Sequence, residues 1–362
     1  MADLAPDAVP HYPPPMADAA KREARKTRKG KAKGDKGAKR MRLSQFWHPI
    51  ATCAEVGEQP RRFTLLDEDL VAFRTDTGVT VLKDLCIHRG AALSLGEVRN
   101  GCIVCPYHGW EYDRTGACVR IPAQPDRPIP AAARAIAHRV EERHGLVWVA
   151  LEEPIADIPH VPEGLDRDPA FTSEVFSVLE WATSAGRSTE NSMDVSHFPF
   201  VHPELLGDPD HPEQEPYELH AEEWGQWFRV PNQFWRSVDG TANARITYVY
   251  THVYPFTMHL HVTEDGDASG RVMSVMVIAS PTRARETRVF RIAFRNYAED
   301  NPNFVSDYLH ILEQDRRVVE SIRPEEIPAS LKEELHIKVP DLSSIAFRRW
   351  LEGVDMQGVL EP

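Results

Sequence analysis

The chain has 362 residues and a formal net charge of −13, so it is long enough for two domains and a large core. The charge is uneven, because residues 21–42 carry twelve Lys or Arg against two acidic residues, while the remainder is strongly acidic. An acidic body argues against nucleic acid as a partner, and no apolar run approaches the length of a membrane span.

Residues 1–42 are predicted to form a disordered tail that is first Pro-rich and then basic. The basic part contains no aromatic residue and no apolar periodicity, which favours a solvated extension. At first sight it resembles a nuclear-localisation or nucleic-acid patch, and a weak contact with an acidic partner or another subunit stays open. No signal-peptide core follows it, so we expect a cytoplasmic protein.

Residues 43–153 are predicted to form a small antiparallel β domain. Short β-like runs separated by turns recur here at the spacing typical of such a domain. The runs cover residues 63–66, 71–73, 79–82, 102–104 and 146–151.

Two cysteine–histidine pairs fall in this domain, Cys86-Ile-His88 and, after sixteen intervening residues, Cys105-Pro-Tyr-His108. Each pair offers one thiolate and one imidazole. Two cysteines on one iron and two histidines on the other form the ligand set of a Rieske [2Fe–2S] centre. A glycine soon after each pair suits a tight loop that needs positive φ. The pairs therefore predict a cluster that stores electrons at a fairly high potential.

Zinc is the main alternative metal, because two cysteines and two histidines also suit a tetrahedral structural site. Zinc fingers usually group the cysteines together and the histidines together, whereas each pair here is mixed. The spacing therefore favours the cluster. The other cysteines, Cys53, Cys102 and Cys118, have no framework spacing and are expected to be reduced and packed, as in a cytosolic protein.

Residues 154–362 are predicted to form a second domain, in which helices cover one large antiparallel sheet. A Pro- and acid-rich linker over residues 152–169 leads into it. The β-like runs that follow cover residues 172–183, 217–229, 244–252, 258–263, 271–280 and 287–295. Helices are predicted over residues 184–197 and 302–323, with Pro302 in the first turn of the second. The predicted fold class is α+β.

A second candidate metal site lies in the first predicted helix and the segment after it. Asn191, Asp194 and His197 recur every three residues, so on a helix they form one slanted polar row. Two prolines then end the helix, which lets His202 fold back beside His197. Two imidazoles from one segment and a carboxylate from another element make the 2-His-1-carboxylate triad of non-haem Fe(II) oxygenases.

Asp315 is the predicted carboxylate ligand. Asp315 lies about one helical turn after the apolar residues Ile311 and Leu312, so its side chain is expected to face inward as theirs do. The competitors for this role are Glu313, Glu320 and Asp194.

The walls of a substrate pocket are expected to come from inward-facing residues of the large sheet. Asn232, Thr247, His259 and Met273 are the candidates, and they are equally well explained as routine sheet residues.

These motifs resemble those of the Rieske non-haem iron oxygenases, the aromatic-ring-hydroxylating oxygenase alpha-subunit family. The cluster ligands of the family match Cys86, His88, Cys105 and His108. Its Asn-x-x-Asp-x-x-His-x-x-x-x-His pattern matches at Asn191, Asp194, His197 and His202. The resemblance covers the chain from residue 43 onward. Within the family, the chain looks most like the branch of methylxanthine N-demethylases and related small-molecule hydroxylases.

The resemblance implies a Rieske β domain joined to a helix-grip catalytic domain, and a ring-shaped homotrimer. In such a ring the cluster of one subunit lies close to the mononuclear iron of the next. Asp194 would then connect His197 or His202 to His108 of the partner subunit. Asn191 would lie near the iron without being a firm ligand.

The resulting hypothesis is a terminal oxygenase that uses O₂ and electrons from NAD(P)H to hydroxylate or oxidatively demethylate a small aromatic or nitrogen-heterocyclic substrate. A separate flavin- or ferredoxin-type reductase would deliver electrons singly to the cluster. One oxygen atom would be inserted, which is a monooxygenase outcome. The alternative is an electron-transfer or regulatory protein with an inactive iron site, holding about two irons per chain instead of about three.

Overall fold

The structure is a computed structural model that describes residues 40–161, 164–203, 206–236, 243–264, 270–297, 304–328 and 330–355. Nearly all of the predicted tail lies outside these residues, and so do Pro302 and the side chains of residues 232, 234–236, 243, 244, 264 and 304. The chain divides into two compact units. The described parts of one are Arg42–Ile158 and Ser280–Ala284, and those of the other are Pro159–Ala279 and Arg285–Asp355.

The first unit consists of short antiparallel strands and three short 3-10 turns. After β1 (Met41–Arg42), the strands are β2 His48–Thr52, β3 Arg61–Leu65, β4 Glu68–Thr75, β5 Gly78–Lys83, β6 Glu97–Arg99, β7 Cys102–Val104, β8 Glu111–Tyr112, β9 Cys118–Arg120, β10 Arg139–Arg143 and β11 Leu146–Ala150. The turns are Leu43–Gln45, Cys53–Glu55 and Leu93–Leu95. The sheets have the orders β10-β11-β2, β3-β4-β5 and β6-β7-β8-β9.

The core of this unit lies between its sheets. Val71 and Phe73 of β4 and Leu82 of β5 are fully buried, as expected for β-branched and aromatic residues in paired strands. Cys86 and Cys105 belong to the same buried cluster, so the core reaches the base of both cysteine–histidine loops. Each of the five predicted β-like runs is a strand, which confirms the small antiparallel β domain.

The second unit is built on one seven-stranded sheet with the order β12-β18-β17-β16-β15-β14-β13. The strands are β12 Thr172–Trp181, β13 Leu219–Ala221, β14 Gly225–Arg236, β15 Asn243–Val253, β16 Thr257–Glu264, β17 Met273–Arg283 and β18 Glu286–Arg295, and β19 Val354–Asp355 follows later in the chain. The registered pairs within the large sheet are antiparallel. A small antiparallel β domain followed by a large antiparallel sheet with few helices confirms the predicted α+β class.

The predicted strand over residues 217–229 is divided into β13 and β14 by a turn. Gly225 begins β14 in close contact with β15, and a Cβ there would lie 1.9 Å from the His252 carbonyl oxygen. Only glycine allows this approach of the two strands.

Within the described residues, the helices that accompany the sheet are α1 Ala185–Met193, α2 Phe198–Val201, α3 Phe304–Val319 and α4 Leu342–Leu351. Helix α1 packs against β16, β18 and α3, and α3 packs against β12. Helix α4, which the sequence analysis did not predict, places Phe347 and Leu351 in the core. Among the described residues, no helix has both the length and the apolar character that a membrane span requires.

Helix α1 is shorter than the predicted helix over residues 184–197. It begins after Ser184, whose hydroxyl accepts a hydrogen bond from the Arg187 N–H, and it ends at Met193. Asp194 has extended backbone angles, and its carboxylate accepts a hydrogen bond from the Ser196 N–H at 2.7 Å. This local side-chain bond competes with helix continuation, so the expected continuous polar row through His197 was wrong.

Candidate metal centres

The two cysteine–histidine loops have the same backbone hydrogen bonds. The Cys86 carbonyl accepts from the Gly90 N–H at 2.8 Å, and the Cys105 carbonyl accepts from the Gly109 N–H at 3.0 Å. Both glycines have positive φ, +74° and +68°, as their positions after each pair predicted. The two loops therefore have the same tight-turn conformation. The distance between the cysteine and the histidine of each pair is set by this local turn.

The side chains of these loops are arranged with sulfur inside and imidazole outside. Cys86 and Cys105 are each 2 % exposed, whereas His88 and His108 are exposed. The two imidazole rings lie edge to face with centroids 4.6 Å apart, and Trp110 stacks on His88 at 4.6 Å. This arrangement leaves the histidine edges open to an electron donor or acceptor.

Tyr112, which the sequence analysis did not single out, belongs to this site. Its hydroxyl lies 3.0 Å from Cys86 Sγ, and the residue is fully buried. Burial, reinforced by the Cys86 thiol, raises the pKa of Tyr112 far above its ordinary value, so the hydroxyl keeps its proton and can donate it to sulfur. Hydrogen bonds to cluster sulfurs are one of the factors that set the reduction potential.

The second site brings together three of the predicted residues. His197 Nε2 and His202 Nε2 lie 3.2 and 3.0 Å from Asp315 Oδ1, and the ligand atoms of all three lie within 4.8 Å of one another. Among the described residues this is the only such group. His202 and Asp315 are buried and His197 is nearly so, which excludes the bulk of the solvent.

Each histidine has its Nδ1 bound by a separate acceptor. Asp194 Oδ2 lies 3.1 Å from His197 Nδ1, and Gln314 Oε1 lies 2.8 Å from His202 Nδ1. With a proton on each Nδ1, both Nε2 lone pairs point into the site. Gln314 precedes Asp315 on α3, and the sequence analysis missed it because its partner is far along the chain.

The electrostatics of this cluster favour a cation. Burial would lower the pKa of His197, but Asp194 and Asp315 outweigh it through hydrogen bonds and charge and raise that pKa to about 9. Burial would raise the pKa of Asp315, but the imidazoles of His197 and His202 hold it well below its usual range. Positive charge is therefore stabilised at the centre of the cluster.

The predicted competitors of Asp315 point elsewhere. Glu313 is exposed and bonded to Arg316, and the Glu320 carboxylate accepts a hydrogen bond from the Ala182 N–H at 2.9 Å. Asp194 contacts Nδ1 of His197 rather than Nε2. Asn191 contributes its carbonyl to the Asp194 N–H, and among the described residues no hydrogen bond involves its side-chain amide.

The pocket candidates from the sequence lie on different faces of the sheet. Thr247 and His259 share one face, because His259 is opposite Thr251 and Thr251 is four residues from Thr247. Met273 lies on the other face, the one on which Tyr248 contacts Phe198 of α2 near the cluster. The side chain of Asn232 lies outside the described part of the chain.

The fold and the two sites define a Rieske-type oxidoreductase. One domain is an antiparallel β domain with two cysteine–histidine loops, and the other has a large sheet and holds a cluster of two histidines and one carboxylate. Comparison with known proteins supports that class. Residues 46–136 match the Rieske [2Fe-2S] domain, and residues 181–355 match the Vanillate O-demethylase oxygenase C-terminal domain.

The chain belongs to the Rieske non-haem iron oxygenases. It is 33% identical over 324 residues to the methylxanthine N1-demethylase NdmA of Pseudomonas putida. The aligned region covers 85% of this chain and 88% of that protein. The solved structure of the NdmA QL mutant of P. putida CBB5 with caffeine matches with a TM-score of 0.76 and 31% identity, over 86% of this chain and 90% of that one. The oxidoreductase NdmD of P. putida is 40% identical over 114 residues, 30% of this chain and 19% of that protein.

Membership makes this chain an oxygenase of the oxidoreductase class, and the family carries a Rieske cluster and a mononuclear iron. The residues present fit both groups. His197 Nε2 and His202 Nε2 both lie close to Asp315 Oδ1, so three donor atoms converge within 4.8 Å, as a mononuclear metal requires. Two buried thiols and two adjacent imidazoles supply the donors of the Rieske cluster.

Proposed function

We propose that this chain is a terminal oxygenase component that uses O₂ and reductase-delivered electrons from NAD(P)H to hydroxylate or oxidatively demethylate a small aromatic or nitrogen-heterocyclic substrate. The observation that carries the proposal is the convergence of His197, His202 and Asp315 within 4.8 Å in a chain that also carries Rieske loops. Electrons can thus be stored and used by one protein. The similarity to the oxidoreductase NdmD supports delivery by a separate reductase.

The roles of the residues follow from their contacts. When bound, the Rieske cluster supplies single electrons and the ferrous ion supplies oxygen activation. Cys86, His88, Cys105 and His108 would hold the cluster, and His197, His202 and Asp315 would hold the iron. Asp194 and Gln314 accept the Nδ1 protons and thereby keep both Nε2 atoms available. With three protein ligands, a bound iron would keep further coordination positions open.

The outcome of oxygen insertion depends on the carbon attacked. If one oxygen atom enters the C–H bond of an N- or O-methyl group, the other is reduced to water, and the hydroxymethyl product separates into formaldehyde and the demethylated compound. If the carbon belongs to a ring or chain, the alcohol persists. The similarity to NdmA and to the Vanillate O-demethylase domain favours the demethylation branch.

We also infer a homotrimer in which electrons cross between subunits. Asp194 would connect His197 on its own side to His108 of the partner subunit, and Asn191 would lie beside the iron without binding it firmly. The exposure of His108 and the 36% exposure of the Asp194 side chain support such a contact. A carboxylate that touches a ligand on each side would fix both tautomers.

The assignment of domains is a further part of the proposal. Residues 1–42 would be a tail, residues 43–153 the Rieske domain and residues 154–362 the mononuclear iron domain. The division into compact units and the two matched domains support these limits. The five cysteines form no disulfide, which supports the expectation of a cytoplasmic protein.

Replacing the proposed carboxylate ligand tests this function directly. Asp315→Ala should reduce iron from about three to about two atoms per chain and abolish formaldehyde or alcohol formation with a surrogate reductase. Rieske absorbance should persist, because the cluster ligands are untouched. Glu313→Ala, two residues earlier on α3 and exposed, is the matched control and should behave as wild type.

Wild-type protein with an intact cluster and only two irons would instead favour the electron-transfer or regulatory alternative. Retained turnover in Asp315→Ala would show that another residue supplies the third ligand. Methylated nitrogen heterocycles and methoxylated aromatic compounds should be screened as substrates. Formaldehyde and hydroxylated product should be measured separately.

A further inference from the structure

Three buried polar side chains on the β12–β18 pair lack hydrogen-bond partners. Ser177 Oγ, Trp181 Nε1 and Arg291 Nη1 have none among the described residues. The residues are 6%, 2% and 4% exposed, so bulk water does not satisfy them. Buried polar groups are nearly always paired, and three unpaired groups on neighbouring strands therefore require an explanation.

The three groups lie on the same face of the sheet. Ser177 is directly opposite Arg291 in the register of β12 and β18, so their side chains project to the same side. Trp181 is four residues from Ser177 along the same strand and shares that face. The Arg291 guanidinium lies over the Trp181 ring, 5.4 Å from its centroid.

This face is turned towards α3 and the mononuclear site. The charge of Arg291 interacts with Asp315 and with Tyr308, both on the inner side of α3. Phe176, which has no counterpart at the bulge between Val175 and Ser177, contacts the Tyr308 ring at 5.1 Å. Bulges of this kind often re-aim side chains beside active sites.

Among the described residues, none accepts a hydrogen bond from Nη1 of the Arg291 guanidinium. Asp315 interacts with it only through space, and its carboxylate oxygen is engaged with His197 and His202. Burial lowers the pKa of Arg291 to about 10, which still leaves it charged at neutral pH. A buried, charged group without a hydrogen-bond partner is strongly unfavourable unless a ligand completes it.

The chemistry of the three groups specifies that ligand. Arginine and the indole N–H only donate hydrogen bonds, and the serine hydroxyl can donate as well. A ferrous ion held by one carboxylate and two neutral imidazoles keeps a net charge of about +1, which adds to that of Arg291. A planar carboxylate matches the guanidinium fork, and the Trp181 ring provides an apolar wall beside it.

We propose that Arg291, Ser177 and Trp181 form a recognition site for the carboxylate of a small aromatic acid, which is the substrate class of this oxygenase. The inference rests on the proposed function, since it assumes that the reacting carbon is presented to the mononuclear iron. It separates this chain from relatives that accept caffeine, which carries no charge and no carboxylate.

The test compares acids with neutral compounds of the same shape. The binding of 3- and 4-methoxybenzoate and of the matching methoxybenzamides to the anaerobic holoenzyme is measured by calorimetry at pH 7. An arginine–carboxylate pair should make at least one acid bind about 10- to 100-fold more tightly than its amide. The proposal is overturned if no acid binds, or if each amide binds as tightly as its acid.

Variants then assign the preference to the site. Arg291→Met should reduce the preference for the acid to within about threefold, and Arg291→Lys should retain part of it because the charge persists. Arg288→Met is the matched control, since Arg288 lies on the opposite face of β18 and pairs with Glu180. It should keep the wild-type preference. A preference that survives Arg291→Met would also refute the assignment.

The outcomes distinguish this inference from the proposed function. If the acids bind selectively and no oxygenated product forms, the recognition site stands and the oxygenase function fails. If acids and amides are oxygenated with equal efficiency, the function stands and the recognition site fails. If only the acids are oxygenated and Arg291→Met removes that selectivity, both are supported.

Discussion

At the scale of single residues, the mononuclear site depends on which nitrogen of each histidine is free. Asp194 holds the Nδ1 proton of His197, and Gln314 holds that of His202. The acceptors differ in charge, so the two imidazoles are not equivalent as ligands. A carboxylate partner makes an imidazole more basic, whereas a neutral amide mainly fixes its orientation.

Gln314→Leu tests the orienting role. Without the acceptor, His202 can rotate or shift its proton to Nε2, and we expect the affinity for Fe(II) at the mononuclear site to fall about 10- to 100-fold. The measurement is the iron retained after dialysis against a mild chelator, with the Rieske absorbance as internal reference.

Glu313→Gln is the control for this prediction, because it is adjacent on α3, exposed, and bonded only to Arg316 among the described hydrogen bonds. Iron retention equal to wild type in Gln314→Leu would show that the hydrogen bond to His202 is dispensable.

At the scale of elements, α1 is held by a network of alternating charges. Arg187 donates to Glu334 and to the Pro324 carbonyl, and Arg348 of α4 donates to Glu190 and Glu334. The side chains of Arg187 and Arg348 are 4% and 2% exposed. Because α1 leads directly into the segment with Asp194 and His197, this network fixes the helix that positions the metal-binding residues.

The Glu334 carboxylate contributes stability in a defined pH range. The Arg187 hydrogen bond, followed by that of Arg348, lowers the pKa of Glu334 to about 2 from its ordinary value of 4.5. Its stabilisation is therefore complete above pH 4.5, the unfolded value, and is lost as the pH falls towards 2.

Glu334→Gln should accordingly lower the free energy of unfolding at neutral pH by about 1 to 2 kcal/mol, a value that allows for solvent near the partly exposed carboxylate. The difference from wild type should shrink at pH 3.5. Denaturant unfolding at both pH values measures it, with the exposed neighbour Glu333→Gln as control. A difference that is constant with pH would contradict the linkage.

At the scale of the whole molecule, the proposed trimer makes each active site a joint property of two subunits. In that trimer neither subunit alone would complete an electron path, because the cluster of one chain would serve the iron of the next. A ring with a heterologous contact between copies closes after three subunits and leaves no unpaired end.

Mixed oligomers test this arrangement. Cys86→Ser removes the cluster and Asp315→Ala removes the iron, so each variant alone should be inactive. Random co-assembly at equal ratio should restore about a quarter of wild-type turnover, because a mixed ring contains one complete cluster-to-iron pair. Turnover of the co-expressed, purified mixture is compared with that of the separately expressed variants. No recovery in confirmed mixed trimers would show that electrons pass within one chain.

The metal-binding segments were recognisable from sequence because their geometry is local. Each cysteine–histidine loop closes through a hydrogen bond between residues four apart, so spacing and one glycine predict its shape. The inward position of Asp315 followed from helical periodicity with Ile311. The polar row through His197 was predicted wrongly, because the hydrogen bond from the Ser196 N–H to Asp194 ends the helix early.

The sequence by itself determined the α+β class, the two kinds of metal-binding segment and the family. Only the tertiary structure decided which distant residues meet: Gln314 with His202, Glu334 with Arg348, and Ser177 with Arg291. It also placed Thr247 and His259 on the face away from the cluster. Strand register and helix docking depend on contacts between residues far apart in the chain, and a shift of one residue would reverse every face. Local propensity carries no information about that choice.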